Sequence, residues 1–282
     1  MKGLIWLASY PKSGNTWFRI FLANLMSEGE KPVDINLLNT HNWRARRTFD
    51  PVAGWDTSLL TPEEIRVLGL QVQRSMAKQR PFTILKAHDA FTAPDGDREI
   101  FCRDSMGAVI YLIRNPLDVA VSFSHHLNQP LDQTIALMNR PKGKLGEMKT
   151  RIYPGLPDQL RDWSGHASSW AEAKGIPLKV IRYEDLRQNP LREFCQACAF
   201  LGINKSQAEI ARAMANSSFE VVKKQEMDHG FREAGHQRPF FRKGTSGGWG
   251  EALSQEQMQS IIRSHGEMMR RFGYLDEQMR PV

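Results

Sequence analysis

One turn, in "LIWLASYPKSGNTWFRIFLANLM", constrains this chain more than any other stretch. The apolar run Leu4–Tyr10 reads as a short buried parallel strand. It ends in a basic turn carrying Lys12 and Gly14. From about Asn15 to Met26, Trp17, Ile20, Phe21 and Leu25 recur at helical rather than alternate spacing. A strand that feeds a helix through such a turn aims the free N–H groups of the helix N-terminus at an anion. The Walker order G-x-x-x-x-G-K-[ST] is absent, because Lys12 precedes Gly14 instead of following it.

The same unit recurs downstream. Phe82–His88 and Ala108–Pro116 read as a second and third strand, and the third is closed by Pro116, which also opens a helix, Leu117–Leu127. Leu178–Leu186 reads as a fourth. Helices are expected from Pro62, with Thr61 as its cap and two glutamates in the first turn, and over 163–174, 190–201, 205–215 and 254–272. The stretch 27–62 lacks periodicity and reads as irregular with short helices. Alternating strands and helices give an α/β class: a P-loop-like, three-layer fold with a central, mostly parallel sheet flanked by helices. The whole chain, 1–282, is expected to be one domain. A mobile insertion is expected around 131–162 and a ligand-covering loop around 228–249, where glycine and arginine replace periodicity.

Charge narrows the partners. The formal net charge is +7, yet no run of five like charges occurs, and no basic–aromatic interleaving marks a single-strand binder, so nucleic acid is not expected. "WRARR" (Trp43–Arg47) reads as a solvated basic face. The longest apolar stretch, Ala108–Ile113, is too short to span a bilayer, and the first residues lack the apolar core of a signal peptide. Three cysteines, Cys102, Cys195 and Cys198, fit reduced thiols in a cytoplasm, with Cys195 and Cys198 packed inside a helix rather than binding zinc.

Ligands of such sheets bind at the carboxyl ends of the strands. Lys12, Ser13, Gly14, Asn15, Thr16 and Trp17 follow the first strand, Lys86 and His88 close the second, and Arg114 and Ser122 follow the third. Singly, these are the caps, core histidines and ion-pair partners of any protein. Jointly they put cations, hydrogen-bond donors and a base at one sheet edge.

In combination the blocks resemble the cytosolic-type sulfotransferases that use 3′-phosphoadenosine 5′-phosphosulfate (PAPS). "YPKSGNTW" is similar to their 5′-phosphosulfate loop and "LIRNPLDVAVSFSHH" to their 3′-phosphate strand and helix. "RYEDL" followed by "NP" (Arg182–Pro190), "SSFEVVKK" (Ser217–Lys224) and "FFRKGTSGGW" (Phe240–Trp249) follow in the family's order. The N-terminal variant "ASYPKSGNTW" is nearest to bacterial members. The resemblance implies sulfuryl transfer from PAPS to a hydroxyl, with adenosine 3′,5′-bisphosphate (PAP) as product, no metal, and a small-molecule acceptor. It implies His88 as general base, Lys86 beside it, and Lys12 on the bridging oxygen, restrained by Ser13 until acceptor binds. Arg114, Ser122, Arg242, Lys243 and Gly244 would hold the 3′-phosphate, with Phe241 in the same block. Trp17, Tyr183, Ser217 and Phe219 would surround adenine. The family's R-K-G-x-x-G-D-W-K block reads "RKGTSGGWG" here, so the dimer motif of animal members is incomplete and the oligomeric state stays open.

Two other readings stand beside it. One is a P-loop nucleotide kinase, which the missing G-K-[ST] and the lack of a metal-binding Asp after an apolar strand disfavour. The other is a non-catalytic nucleotide- or RNA-binding protein, for which a paired lysine and base would be superfluous.

Overall fold

The first strand, β1 (Gly3–Ser9), alternates between two buried faces, and each face collects its own helices. The computed structural model describes residues 3–27, 29–38, 40–79, 82–94, 98–146, 155–234, 239–242 and 244–282. In chain order β1 is followed by α1 (Asn15–Met26), β2 (His41–Asn42), α2 (Arg46–Ala53), α3 (Pro62–Gln79), β3 (Phe82–Ala87), β4 (Met106–Ile113), α4 (Pro116–Leu127) and α5 (Leu131–Met138). Then come β5 (Lys144–Leu145), β6 (Asp158–Gln159), α6 (Trp163–Ala171), β7 (Leu178–Arg182), α7 (Tyr183–Gln188), α8 (Pro190–Phe200), α9 (Gln207–Asn216), α10 (Phe219–His229), α11 (Trp249–Ala252) and α12 (Gln255–Arg271).

The central sheet runs β2-β3-β1-β4-β7, with every pairing parallel. Leu4, Trp6 and Ala8 face a core shared with α3, α6 and α12, while Ile5 and Leu7 face α1, α8 and α9. Successive side chains of a strand point to opposite faces, so a strand buried on both sides needs no polar alternation. That is the expected three-layer α/β fold. A smaller third cluster joins Ile20 of α1, Ile35, Val222 of α10, Phe231 and Phe241.

Several boundaries follow local chemistry. Thr61 and Glu64 cap α3 reciprocally, and Ser206/Glu209 and Ser254/Gln257 form capping boxes on α9 and α12. Asn115 accepts from the Leu117 N–H ahead of Pro116, which fixes the start of α4.

Four expectations change. The fourth strand stops at Arg182 and not at Leu186, because Glu184 and Asp185 fall in the first turn of α7, where a helix N-terminus favours carboxylates. Residues 219–229 are helix α10, with Ser218 Oγ accepting from Val221 N, so the long loop begins only at Gly230. The aperiodic stretch 27–62 contributes an edge strand, β2, beside β3. "WRARR" is not a solvated face as a whole. Trp43 is buried edge-on against Trp6, and Arg44 forms a buried two-point ion pair with Asp89 (3.0 and 2.7 Å), leaving Arg47 exposed.

Of the insertion expected around 131–162, α5 and the antiparallel pair β5–β6 are ordered elements, while 147–154 lie outside the described residues. So do 235–238 and Lys243 in the later loop. Cys195 and Cys198 pack in α8 as free thiols. Among the described residues, no helix is long and apolar enough to cross a membrane.

Candidate active site

At the carboxyl edge of the sheet lies one cavity of about 930 Å³. The turn between β1 and α1 forms its floor. Lys12 (φ 67°) and Gly14 (φ 98°) both adopt left-handed backbone, and no side chain caps the N-terminus of α1. A Cβ on Gly14 would lie 2.8 Å from the Tyr183 ring, so only glycine lets the turn approach that ring. Among the described residues Ser13 Oγ is buried without a hydrogen-bond partner.

The side chains of this turn divide their labour. Asn15 turns back into the sheet, donating to Leu7 O (2.9 Å) and Ser9 Oγ (3.3 Å), so it ties α1 to β1. Thr16 accepts from Arg19. Trp17 donates to Ser217 O (3.0 Å) and meets the Tyr183 ring edge-on. Lys12 points its ammonium at the face of Phe240. Burial, with the neighbouring charges of Arg114 and Lys86, brings its pKa down to about 7.

The β3 edge supplies the groups nearest in kind to a base. His88 Nδ1 lies 2.9 Å from Ser9 O, a carbonyl that only accepts, so Nδ1 carries the proton and Nε2 keeps its lone pair. Burial and the nearby Lys86 ammonium hold the imidazole well below its usual pKa and hence neutral. Lys86 pairs with Glu233 at 3.2 Å; burial lowers its pKa too, while Lys86 and Arg19 hold the Glu233 carboxylate ionised.

The β4 edge supplies cations. Arg114 donates to Lys12 O (3.1 Å) and Thr245 O (3.0 Å), and its guanidinium lies over the Tyr183 ring. Its Nε is buried and, among the described residues, unpartnered. Arg242 donates to His125 Nε2 at 2.6 Å. Gly244 (φ 61°) touches Phe219 so closely that a Cβ would fall 2.4 Å from that ring. Ser122 lines the same cavity.

The structure therefore gathers most of the residues singled out in the sequence. Ser13 sits just behind the wall, and the Ser217 hydroxyl is spent on Ala213 O inside α9, leaving only its carbonyl for Trp17. Phe241 is mostly buried, in the third core cluster, with its ring against Phe231. The sequence reading missed Arg19, Asp158, Arg187 and Glu233, all of which line the cavity. A signal existed for Arg19: it interrupts the apolar run of α1 yet is 2% exposed, which a guanidinium tolerates only when paired, here with Glu233 at 2.8 and 2.6 Å.

Residues 2–273 match the family model of the sulfotransferase domain. The chain belongs to that family. The sulfotransferase is 26% identical to mouse sulfotransferase 1B1 over 274 residues, which cover 92% of this chain and 80% of the relative. Its fold is shared with mouse sulfotransferase SULT7A1 complexed with PAP, at a TM-score of 0.62 and 20% identity over 96% of this chain and 84% of the other. It is also shared with a retinol dehydratase in complex with androsterone and inactive cofactor PAP, at 0.64 and 17% over 98% and 83%.

Proposed function

We propose that this sulfotransferase moves a sulfuryl group from PAPS to the hydroxyl of a small-molecule acceptor. One observation carries the reading: a neutral imidazole, with Nε2 unpartnered among the described residues, lines the same cavity as the α1 turn and the Arg114–Arg242 edge, which we read as two anion cradles. The cradles suit the nucleotide. Among the described residues Arg114 Nε is buried and unpartnered, a donor awaiting an acceptor, and the tight approaches at Gly14 and Gly244 leave rings of Tyr183 and Phe219 facing the cavity.

When bound, PAPS supplies an activated sulfuryl group with a phosphate as leaving group. Lys12 and the α1 N–H groups stabilise the charge that grows on that phosphate. His88 Nε2 takes the acceptor hydroxyl proton as the new O–S bond forms and the S–O bond to phosphate breaks. Lys86 stands beside the transferring group with its charge moderated by Glu233. Arg114, Ser122, Arg242, Lys243 and Gly244 hold the 3′-phosphate, for which a planar guanidinium is suited. Trp17, Tyr183 and Phe219 enclose the adenine, with Ser217 and Phe241 supporting them from behind.

The proposal needs no metal carboxylate. Asp89, two residues after β3, is already committed to Arg44 and Gln159 N and is fully buried, which weighs against a metal role there and against the kinase reading. The free cysteines fit a cytoplasmic protein. The test compares PAP with ATP and Mg²⁺ in thermal unfolding. At a hundredfold excess over its dissociation constant, PAP should stabilise by about 2.7 kcal/mol and ATP with Mg²⁺ far less. Equal protection by both would overturn the two-cradle assignment.

A further inference from the structure

The β2–β3 side of the cavity, away from the nucleotide cradles, has its own chemistry. Six charged side chains meet there, three of each sign: Arg19, Arg44 and Lys86 against Asp89, Asp158 and Glu233. Five of them are matched in ion pairs, Arg44 with Asp89 and both Arg19 and Lys86 with Glu233. Asp158 is the sixth. Among the described residues its carboxylate has no hydrogen-bond or ion-pair partner, although it lines the cavity.

Its position is built, not accidental. Asp158 pairs with Leu145 across the β5–β6 ladder, and the next residue, Gln159, is locked by N–H donation to Asp89 Oδ1 (2.8 Å) and by acceptance from Ala90 N (2.7 Å). The residue that follows Asp158 is thereby fixed to the strand end that carries His88. Burial and the nearby Asp89 raise the Asp158 pKa to about 7, the response of a carboxylate short of hydrogen-bond donors.

We propose that the acceptor is a neutral, polyhydroxylated molecule of the sugar class, and that Asp158 is a specificity-determining residue that accepts hydrogen bonds from its hydroxyls. The inference deepens the sulfuryl-transfer reading and rests on it. Because Arg44 is already paired with Asp89, and Arg19 and Lys86 with Glu233, an ionic acceptor would find its counter-charges on this wall engaged, whereas a hydroxyl both donates and accepts and so satisfies carboxylate and cation alike. An apolar acceptor closing over Asp158 would bury that carboxylate without donors, which is costly. Polar neighbours agree: Thr40, Asn42 and His126 line the cavity too, and the face of the Phe240 ring is already taken by Lys12. The exposed Arg47 lies on the same side, where water screens its charge.

The test measures transfer from labelled PAPS to methyl glucoside, methyl galactoside, 2-naphthol, a neutral sterol and a primary amine, with glycoside binding to the PAP complex followed by tryptophan fluorescence. At least one glycoside should exceed 2-naphthol tenfold in kcat/KM. Asp158→Leu should lower glycoside kcat/KM and glycoside binding at least tenfold and narrow or reverse the preference. Asp158→Asn, which keeps an acceptor oxygen, should retain most of both. PAP thermal protection in each variant shows that the fold survives. Preference for 2-naphthol or the sterol, or a glycoside kcat/KM within twofold of the parent in Asp158→Leu, overturns the acceptor assignment while leaving sulfuryl transfer standing. No transfer to any acceptor together with no protection by PAP overturns both.

Discussion

The ammonium of Lys12 lies 3.7 Å from the centroid of the Phe240 ring, so the lysine of the N-terminal anion turn rests on an aromatic face supplied more than two hundred residues later. A desolvated cation–π contact of this kind contributes ~0.5–2 kcal/mol, and it survives only while the lysine carries its proton. With its pKa brought from 10.5 to about 7, Lys12 is poised between its two states at neutral pH.

Lys12 should therefore take up a proton when PAP binds near pH 8, because an adjacent phosphate favours the charged form. Calorimetry in two buffers of different ionisation enthalpy reads the uptake, and Lys12→Met should lose it together with turnover. The stability sign is fixed as well. The unfolded chain holds the extra proton between about pH 7 and 10.5, so the burial penalty is full below about 7 and fades as pH rises to 10.5. Lys12→Met should raise the Tm of the free protein at pH 7 and change it little at pH 10.5.

His88→Ala should lower kcat by ~10²–10⁴ with PAP affinity nearly unchanged. Since the imidazole is held well below its ordinary pKa, the acid limb of the pH–rate profile of the parent enzyme should fall under pH 6.5. Wild-type turnover in the variant on a proven acceptor would remove His88 from the mechanism and bring forward His125 or His126.

Gly244→Ala should weaken PAP at least tenfold while leaving the sheet folded. The left-handed φ of 61° and the 2.4 Å approach to Phe219 force either the loop or the ring to move. Titration followed by intrinsic fluorescence measures the change. An unchanged dissociation constant would separate Gly244 from the nucleotide.

Asp89→Asn should destabilise the protein by ~3–5 kcal/mol, since it leaves the Arg44 guanidinium buried without its counter-charge. Chemical denaturation checks this, and replacing both partners together should recover part of the loss. A single variant as stable as the parent would show that water reaches Arg44.

What could be read from the sequence was what repeats locally. β1, α1, the start of α3 and α4 carry their limits in apolar spacing, proline and caps, while β4 is legible as a strand but runs Met106–Ile113 and not to Pro116; the strand-end residues Lys12, His88 and Arg114 follow from these elements. The two-residue strand β2 carries no such pattern, because its place depends on β3 and on Trp43 packing edge-on against Trp6. Helix α10 was hidden by the motif read over its first turns. The pairs Arg19–Glu233 and Arg44–Asp89 join residues far apart in the chain, and nothing in the local spacing announces them.

The strap between α10 and α11 reaches both halves of the cavity. Glu226 of α10 accepts from the N–H groups of Phe240 and Phe241 (2.6 and 2.8 Å), Glu233 clasps the β3 side, and Arg242 lies against His125 on the β4 side. Two ligands that both engage the described parts of this strap should have linked affinities, by equal factors in both directions. A consequence concerns divergence. Substitutions within the strap would retune both substrates at once, whereas β2 and the β5–β6 ladder line the cavity beside β3, on the side proposed for the acceptor. In descendants of this enzyme, new acceptors should be acquired first along that outer edge, with the nucleotide half inherited unaltered.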